Sequence, residues 1–173
     1  MDTHGYVHVY TGDGKGKTTA ALGLALRAVG AGWRVFFGQF AKGMECSELT
    51  ALERLAGSIT VRQFGRACFI DRQPEQMDVH CAEQGLMECG EAADSGKYQL
   101  LVLDEVNVAV ALGLIRLEDL TQLIDGKPRG LELVITGRWA HRSVTQRADL
   151  VTEMQEIKHY YSQGVLARTG IEK

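Results

Sequence analysis

Residues 7–20, Val-His-Val-Tyr-Thr-Gly-Asp-Gly-Lys-Gly-Lys-Thr-Thr-Ala, run from an apolar strand through a glycine-rich loop into the start of a helix. No other stretch constrains the fold as much, because a strand, a tight loop and a helix N-terminus in that order make an anion cradle. Gly12, Gly14 and Gly16 permit positive φ and close backbone approach, so successive amides converge on phosphate oxygens. Lys17 adds a flexible cation, and Thr18 offers a hydroxyl suited to a magnesium ion. The spacing departs from the ordinary pattern: Thr11 stands where a glycine is usual, and the nearest glycine, Gly12, comes one residue late. The loop therefore specifies triphosphate binding and leaves the reaction open.

With 173 residues, 45% of them hydrophobic, and two prolines, the chain is expected to form one globular domain over 1–173 with a full core. A net charge of −3 without a lysine or arginine cluster gives no footprint for nucleic acid. No apolar run approaches the roughly 20 residues of a membrane helix, and Met1–Tyr6 lacks signal-peptide architecture. The expectation is a cytoplasmic protein with neither nucleic-acid nor membrane partners. Cys46, Cys68, Cys81 and Cys89 match neither a zinc ribbon nor a Cys-x-x-Cys pair, so they are read as reduced thiols. Cys89 falls on the stripe Val79, Ala82, Leu86, Cys89, Ala93, whose spacing by threes and fours assigns it to the core.

Apolar strand-like runs alternate with helical patterns along the whole chain. Strands are expected at Tyr6–Thr11, Trp33–Phe40, Ile59–Phe64, Leu100–Asp104, Leu131–Gly137 and Leu150–Ile157. Helices are expected at Lys17–Val29, Glu45–Leu55, Met77–Ala93 and Leu117–Ile124. This is the α/β class: a mainly parallel sheet with helices on both faces, of the P-loop (RecA-like) kind. Ligands of such sheets sit beyond the carboxyl ends of the strands. There, Leu100-Leu-Val-Leu-Asp104-Glu105 ends in two carboxylates, an arrangement that sets an acid beside the cradle's magnesium. Since neighbouring strand residues point oppositely, one of the pair is expected to face the loop, and Glu105 is taken as the more important. Gln39-Phe-Ala-Lys42-Gly43 and Thr136-Gly-Arg138-Trp-Ala-His141-Arg142 close two other strands and are candidates to face substrate. His141 and His159 fit either a site or a helix cap.

Taken together, these residues resemble the ATP:corrinoid adenosyltransferases of the cob(I)yrinic acid a,c-diamide type. The resemblance rests on the loop Thr11-Gly-Asp-Gly-Lys-Gly-Lys-Thr-Thr-Ala-Ala21 with its late glycine, on Gln39-Phe with Lys42-Gly43, and on Leu103-Asp-Glu-Val-Asn107. Ile135-Thr-Gly-Arg138 and Ala148-Asp-Leu-Val-Thr-Glu153 to Lys158-His159 follow in the same order, so the likeness spans essentially the whole chain. It implies transfer of the 5′-deoxyadenosyl group of ATP to the cobalt(I) of a corrinoid, with the whole triphosphate as leaving group. Gly12, Asp13, Gly14, Lys15, Gly16, Lys17, Thr18 and Thr19 would bind the triphosphate. Thr18 and Glu105, with Asp104, would hold magnesium or manganese. Lys42, Glu48 and Arg138 are carried over as further binding residues.

Phe64, Arg66, Cys68 and Phe69 follow the third strand, where the family places its corrinoid-facing segment. Phe64 and Phe69 are taken as corrinoid contacts, although Asp71 replaces a tryptophan found in some members. The resemblance also implies a reduced flavoprotein as electron donor and a homodimer. The lid that some members build from a longer N-terminal segment is expected to be absent here or built from Tyr160–Lys173. Two other readings of the motifs are a phosphotransferase or NTPase attacking the γ-phosphate and a non-catalytic, nucleotide-dependent corrinoid-binding module.

Overall fold

β1 (Val7–Thr11), β2 (Val35–Phe40), β3 (Ile59–Phe64), β4 (Leu100–Asp104), β5 (Glu132–Thr136) and β6 (Leu150–Glu153) pair side by side, every pairing parallel. Their order in the sheet is β3-β2-β4-β5-β1-β6. The structure is a computed structural model that describes residues 4–41, 47–65 and 74–172. Every residue of β2 and β4 is buried, which explains their near-continuous Val, Leu and Phe composition: a parallel sheet covered on both faces has no polar side.

The helices are α1 (Lys17–Gly30), α2 (Ser47–Glu53), α3 (Gln76–Asp94), α4 (Val106–Ala111), α5 (Leu117–Gly126) and α6 (Arg142–Thr145), with a 3-10 turn at Tyr160–Gln163. Strand alternation divides the core into two clusters. Phe36, Phe40, Leu101 and Leu103 pack with Ala82, Leu86 and Cys89 of α3. Val35, Phe37, Leu100 and Val102 pack with Ala21, Ala25 and Ala28 of α1, whose small side chains recur on one helical face. The same alternation carries Asp104, two residues beyond Val102, onto the α1 face of the sheet.

The expected alternation of strands and helices is therefore present, with shifted ends. β6 stops at Glu153 instead of Ile157. The second helix begins at Ser47, and residues 42–46, which include the expected start at Glu45, lie outside the described residues. Neither α4 nor α6 is apparent from the sequence. The Val-Asn-Val-Ala-Val-Ala run of α4 has the β-branched alternation of a strand, and tertiary packing overrides that preference.

Phe64 belongs to the core. It is 9% exposed, its ring centroid lies 5.2 Å from that of Phe40, and a Cβ on Gly85 of α3 would meet its ring at 2.2 Å. Cys89 is buried as its stripe requires, and burial pushes its thiol pKa far up. Among the described residues no helix is long and apolar enough to cross a membrane.

Candidate active site

The phosphate loop leaves β1 at Thr11 and enters α1 at Lys17, with Gly12 at φ 91° and Gly16 at φ 120°. The late glycine has a packing reason. The chain leaving β6 passes directly over the loop, and a Cβ on Gly12 would stand 2.4 Å from the carbonyl oxygen of Met154. Gly14 is also held to glycine by space, its would-be Cβ lying 2.7 Å from the same oxygen. It is not a left-handed residue, contrary to the expectation of positive φ at all three glycines. Its amide donates to Met154 O at 2.7 Å, so one N–H of the cradle is committed to the protein.

Lys17 is 6% exposed and folds back along the loop, its Nζ donating to the carbonyl oxygens of Gly12 and Gly14, each at 2.7 Å. Burial lowers its pKa from the ordinary lysine value; Glu105 pulls the other way and Arg138 adds to the fall. The ammonium thus sits ready inside the loop with oxygen partners that phosphate oxygens can replace.

Thr18, on the first turn of α1, donates its hydroxyl hydrogen to Asp104 Oδ1 at 2.9 Å. Thr136, at the end of β5, donates to the same oxygen at 2.7 Å, and Gln39 Nε2 donates to Oδ2 at 3.3 Å. Asp104, Thr136 and Gln39 are each fully buried. Asp104 is therefore the hub that aims Thr18, which corrects the expectation that only one carboxylate of the pair faces the loop. Glu105 joins from the next position because it leaves the strand in the left-handed conformation, φ 60°, with its amide donating to Thr136 Oγ1 at 2.9 Å. Such a conformation costs a non-glycine residue about 1–3 kcal/mol and persists where surrounding structure enforces it. Ala41 and Trp139, just past the ends of β2 and β5, share it, so three strand ends at this edge carry left-handed residues.

Lys17, Thr18 and Glu105 open onto one cavity of about 600 Å³. The sequence-assigned residues Asp13, Gly14, Lys15, Gly16, Lys17, Thr18 and Thr19 line it, and Glu48, Glu105 and Arg138 face them. Gly12 lies behind the loop against Met154, Asp104 lies behind Thr18, and Phe64 lies in the core, none of them on the cavity wall. Lys42, Arg66, Cys68, Phe69 and Asp71 fall outside the described residues.

His141 and His159 both act as caps, accepting from the amides of Ser143 and Tyr161 at 3.1 and 3.0 Å. His159 also lines the cavity. Sequence reasoning missed Thr136 as a partner of Asp104. It named the 160–173 region only as a possible lid; Gly170, Ile171 and Glu172 of that region form part of the cavity wall.

The oxygen donors here, a threonine hydroxyl and a carboxylate beside a phosphate cradle, suit a hard divalent cation that shares its coordination with phosphate and water. Among the described residues no cluster of three or more His, Cys, Asp or Glu side chains could hold a metal ion. Thr18 gives its proton to Asp104, the orientation a threonine hydroxyl takes when its oxygen is to serve as a ligand to a cation.

The family pattern described as ATP:corrinoid adenosyltransferase BtuR/CobO/CobP matches residues 3–172. A corrinoid adenosyltransferase of Escherichia coli strain K12 is 34% identical over 173 residues, covering 99% of this chain and 87% of that protein. A corrinoid adenosyltransferase of Pseudomonas aeruginosa is 32% identical over 172 residues, covering 99% and 85%. The corrinoid adenosyltransferase CobA of Salmonella typhimurium is 33% identical over 173 residues, covering 99% and 87%.

Proposed function

Because the chain belongs to the ATP:corrinoid adenosyltransferase family, whose members transfer the adenosyl group of ATP to a cobalt(I) corrinoid, we propose a residue-level account of how this site performs that transfer. The loop from Asp13 to Thr19 holds the triphosphate, with Lys15 and Lys17 supplying positive charge along it. Thr18 and Glu105 hold a magnesium or manganese ion, and Asp104 fixes the rotamer of Thr18. When bound, the metal draws negative charge from the triphosphate oxygens.

In the reaction an electron pair of cobalt(I) forms a bond to C5′ of ATP, and the pair of the breaking C5′–O bond leaves with the triphosphate. Cobalt(I) is a strong nucleophile, so no side chain has to remove a proton. The protein's work is alignment of C5′ with cobalt and stabilisation of charge on the departing oxygens by Lys15, Lys17 and the remaining loop amides. Arg138 and Glu48 border the same cavity and are assigned to binding on family resemblance. Phe69 is assigned to the corrinoid side, and Lys42 to the binding residues, on family resemblance. A reduced flavoprotein as electron donor, a homodimeric state and a cytoplasmic location belong to the same reading.

The observation that carries this account is the convergence of Thr18 and Glu105 on the cavity lined by Lys15 and Lys17. Its test is a magnesium titration of anaerobic adenosylation with chemically reduced corrinoid. Glu105→Ala should raise the magnesium concentration for half activity at least tenfold. An unchanged half-saturation point, or a larger shift from Asp104→Ala, would remove Glu105 from the metal.

A further inference from the structure

The C-terminal segment returns to the phosphate loop and takes hold of one of its lysines. Lys15 Nζ donates to the carbonyl oxygen of Ile171 at 2.7 Å and lies 3.6 Å from Glu172 Oε1. Glu172 is in turn anchored by its own segment. The hydroxyl of Tyr160 donates to Oε1, Arg168 Nη2 reaches Oε1 and Nε reaches Oε2, each at 3.2 Å, and the Arg168 amide donates to Oε2 at 2.9 Å. The Arg168 guanidinium also lies over the Tyr160 ring, 4.9 Å from its centre. Arg168 and Tyr160 hold the Glu172 carboxyl at a pKa of about 2, so it is anionic throughout the working range. An anion with three donor groups gathered on it thus stands in the wall of a cavity built for polyphosphate.

We infer that Glu172 is an affinity-setting residue of the nucleotide site: its carboxylate competes with the triphosphate for Lys15, so ATP binds by displacing it and product triphosphate leaves as it returns. This rests on the proposed triphosphate site. The ammonium of Lys15 has two oxygen partners from the tail, and phosphate oxygens arriving at the same ammonium meet both an occupied cation and a like charge. The contest acts equally on substrate and product, because both carry the triphosphate. Inorganic triphosphate held by two lysines, a helix N-terminus and a metal would otherwise be slow to leave, and a resident carboxylate that reclaims Lys15 lowers that barrier.

The experiment is calorimetric titration of the full chain with inorganic triphosphate in the presence of magnesium. The parent, Glu172→Gln, Lys15→Ala and the Lys15→Ala/Glu172→Gln double variant are compared, with Lys17→Ala as a control on the site itself. Glu172→Gln should bind triphosphate about three- to tenfold more tightly than the parent, with a slower off-rate by stopped flow. In the Lys15→Ala background the same substitution should give less than half of that gain, because the cation at issue is gone. Unchanged or weaker binding by Glu172→Gln would overturn the inference and make the carboxylate a support for Lys15. A gain of equal size without Lys15 would also overturn it, pointing to general charge repulsion. If Lys17→Ala binds as well as the parent, or the parent does not bind triphosphate, the cradle assignment falls and takes this inference with it. A weakened Lys17→Ala beside an unchanged Glu172→Gln sinks the competition alone.

Discussion

Thr18 and Asp104 meet at the carboxyl edge of the sheet, the threonine hydroxyl donating to a carboxylate oxygen 2.9 Å away. This contact joins the first turn of α1 to the end of β4, the two elements that supply the cation and the acid of the site. It also separates the roles of two adjacent carboxylates. Asp104 is buried and organises its neighbours, and Glu105 lines the cavity.

That division predicts different consequences for stability. Asp104→Ala removes the shared acceptor of Thr18, Thr136 and Gln39, two of which are fully buried. Losing the partner of buried donors costs about 1–3 kcal/mol each, so unfolding free energy should fall by at least about 2 kcal/mol. Glu105→Ala should cost less than about 1 kcal/mol, since its side chain borders a cavity. Denaturant unfolding of the two variants checks this, and equal losses would contradict the division.

Two glycines of the same region should respond oppositely to alanine. At Gly12 the added methyl would meet Met154 O at 2.4 Å with φ at 91°, and Gly12→Ala should destabilise by about 2–4 kcal/mol. Gly23 lies within α1 with nothing within 4 Å of its would-be Cβ. Gly23→Ala should stabilise by up to about 1 kcal/mol through helix propensity. Thermal unfolding of both variants reads the difference, and a neutral Gly12→Ala would remove the packing explanation of the late glycine.

Lys17 should matter more to turnover than to nucleotide binding, because charge accumulates on the triphosphate as the C5′–O bond breaks. Lys17→Ala should lower turnover at saturating ATP at least a hundredfold while weakening ATP binding by less than that, about two- to tenfold. Turnover within threefold of the parent, under anaerobic conditions with reduced corrinoid, would contradict its role.

Much of this was legible in the chain for identifiable reasons. A sheet buried on both faces writes its strands as apolar runs, so Val35–Phe40 and Leu100–Asp104 stand out, and the small-residue face of α1 is visible as Ala21, Ala25 and Ala28. The phosphate loop announces itself because only glycines permit its path. The left-handed turn at Glu105 was not legible, since nothing local to Leu-Asp-Glu-Val forces φ to 60°. It arises from the tertiary bond to Thr136. Phe64 was read as a ligand contact because an aromatic residue after a strand has no local mark of its partner. The space that receives it is made by Gly85, on a helix later in the chain. The pairing of Lys15 with Glu172 joins positions near opposite ends of the sequence, and no periodicity records such a contact.

The central claim is that this site expels the triphosphate whole while a cobalt–carbon bond forms. Its most direct measurement is product analysis after anaerobic incubation with ATP, magnesium and chemically reduced corrinoid, following the corrinoid spectrum before and after illumination and separating the phosphates by ion-exchange chromatography. The account predicts a light-sensitive adenosylcorrinoid and inorganic triphosphate in a one-to-one ratio, both abolished together in Lys17→Ala. Orthophosphate or diphosphate as the primary product, or triphosphate without an adenosylated corrinoid, would contradict it.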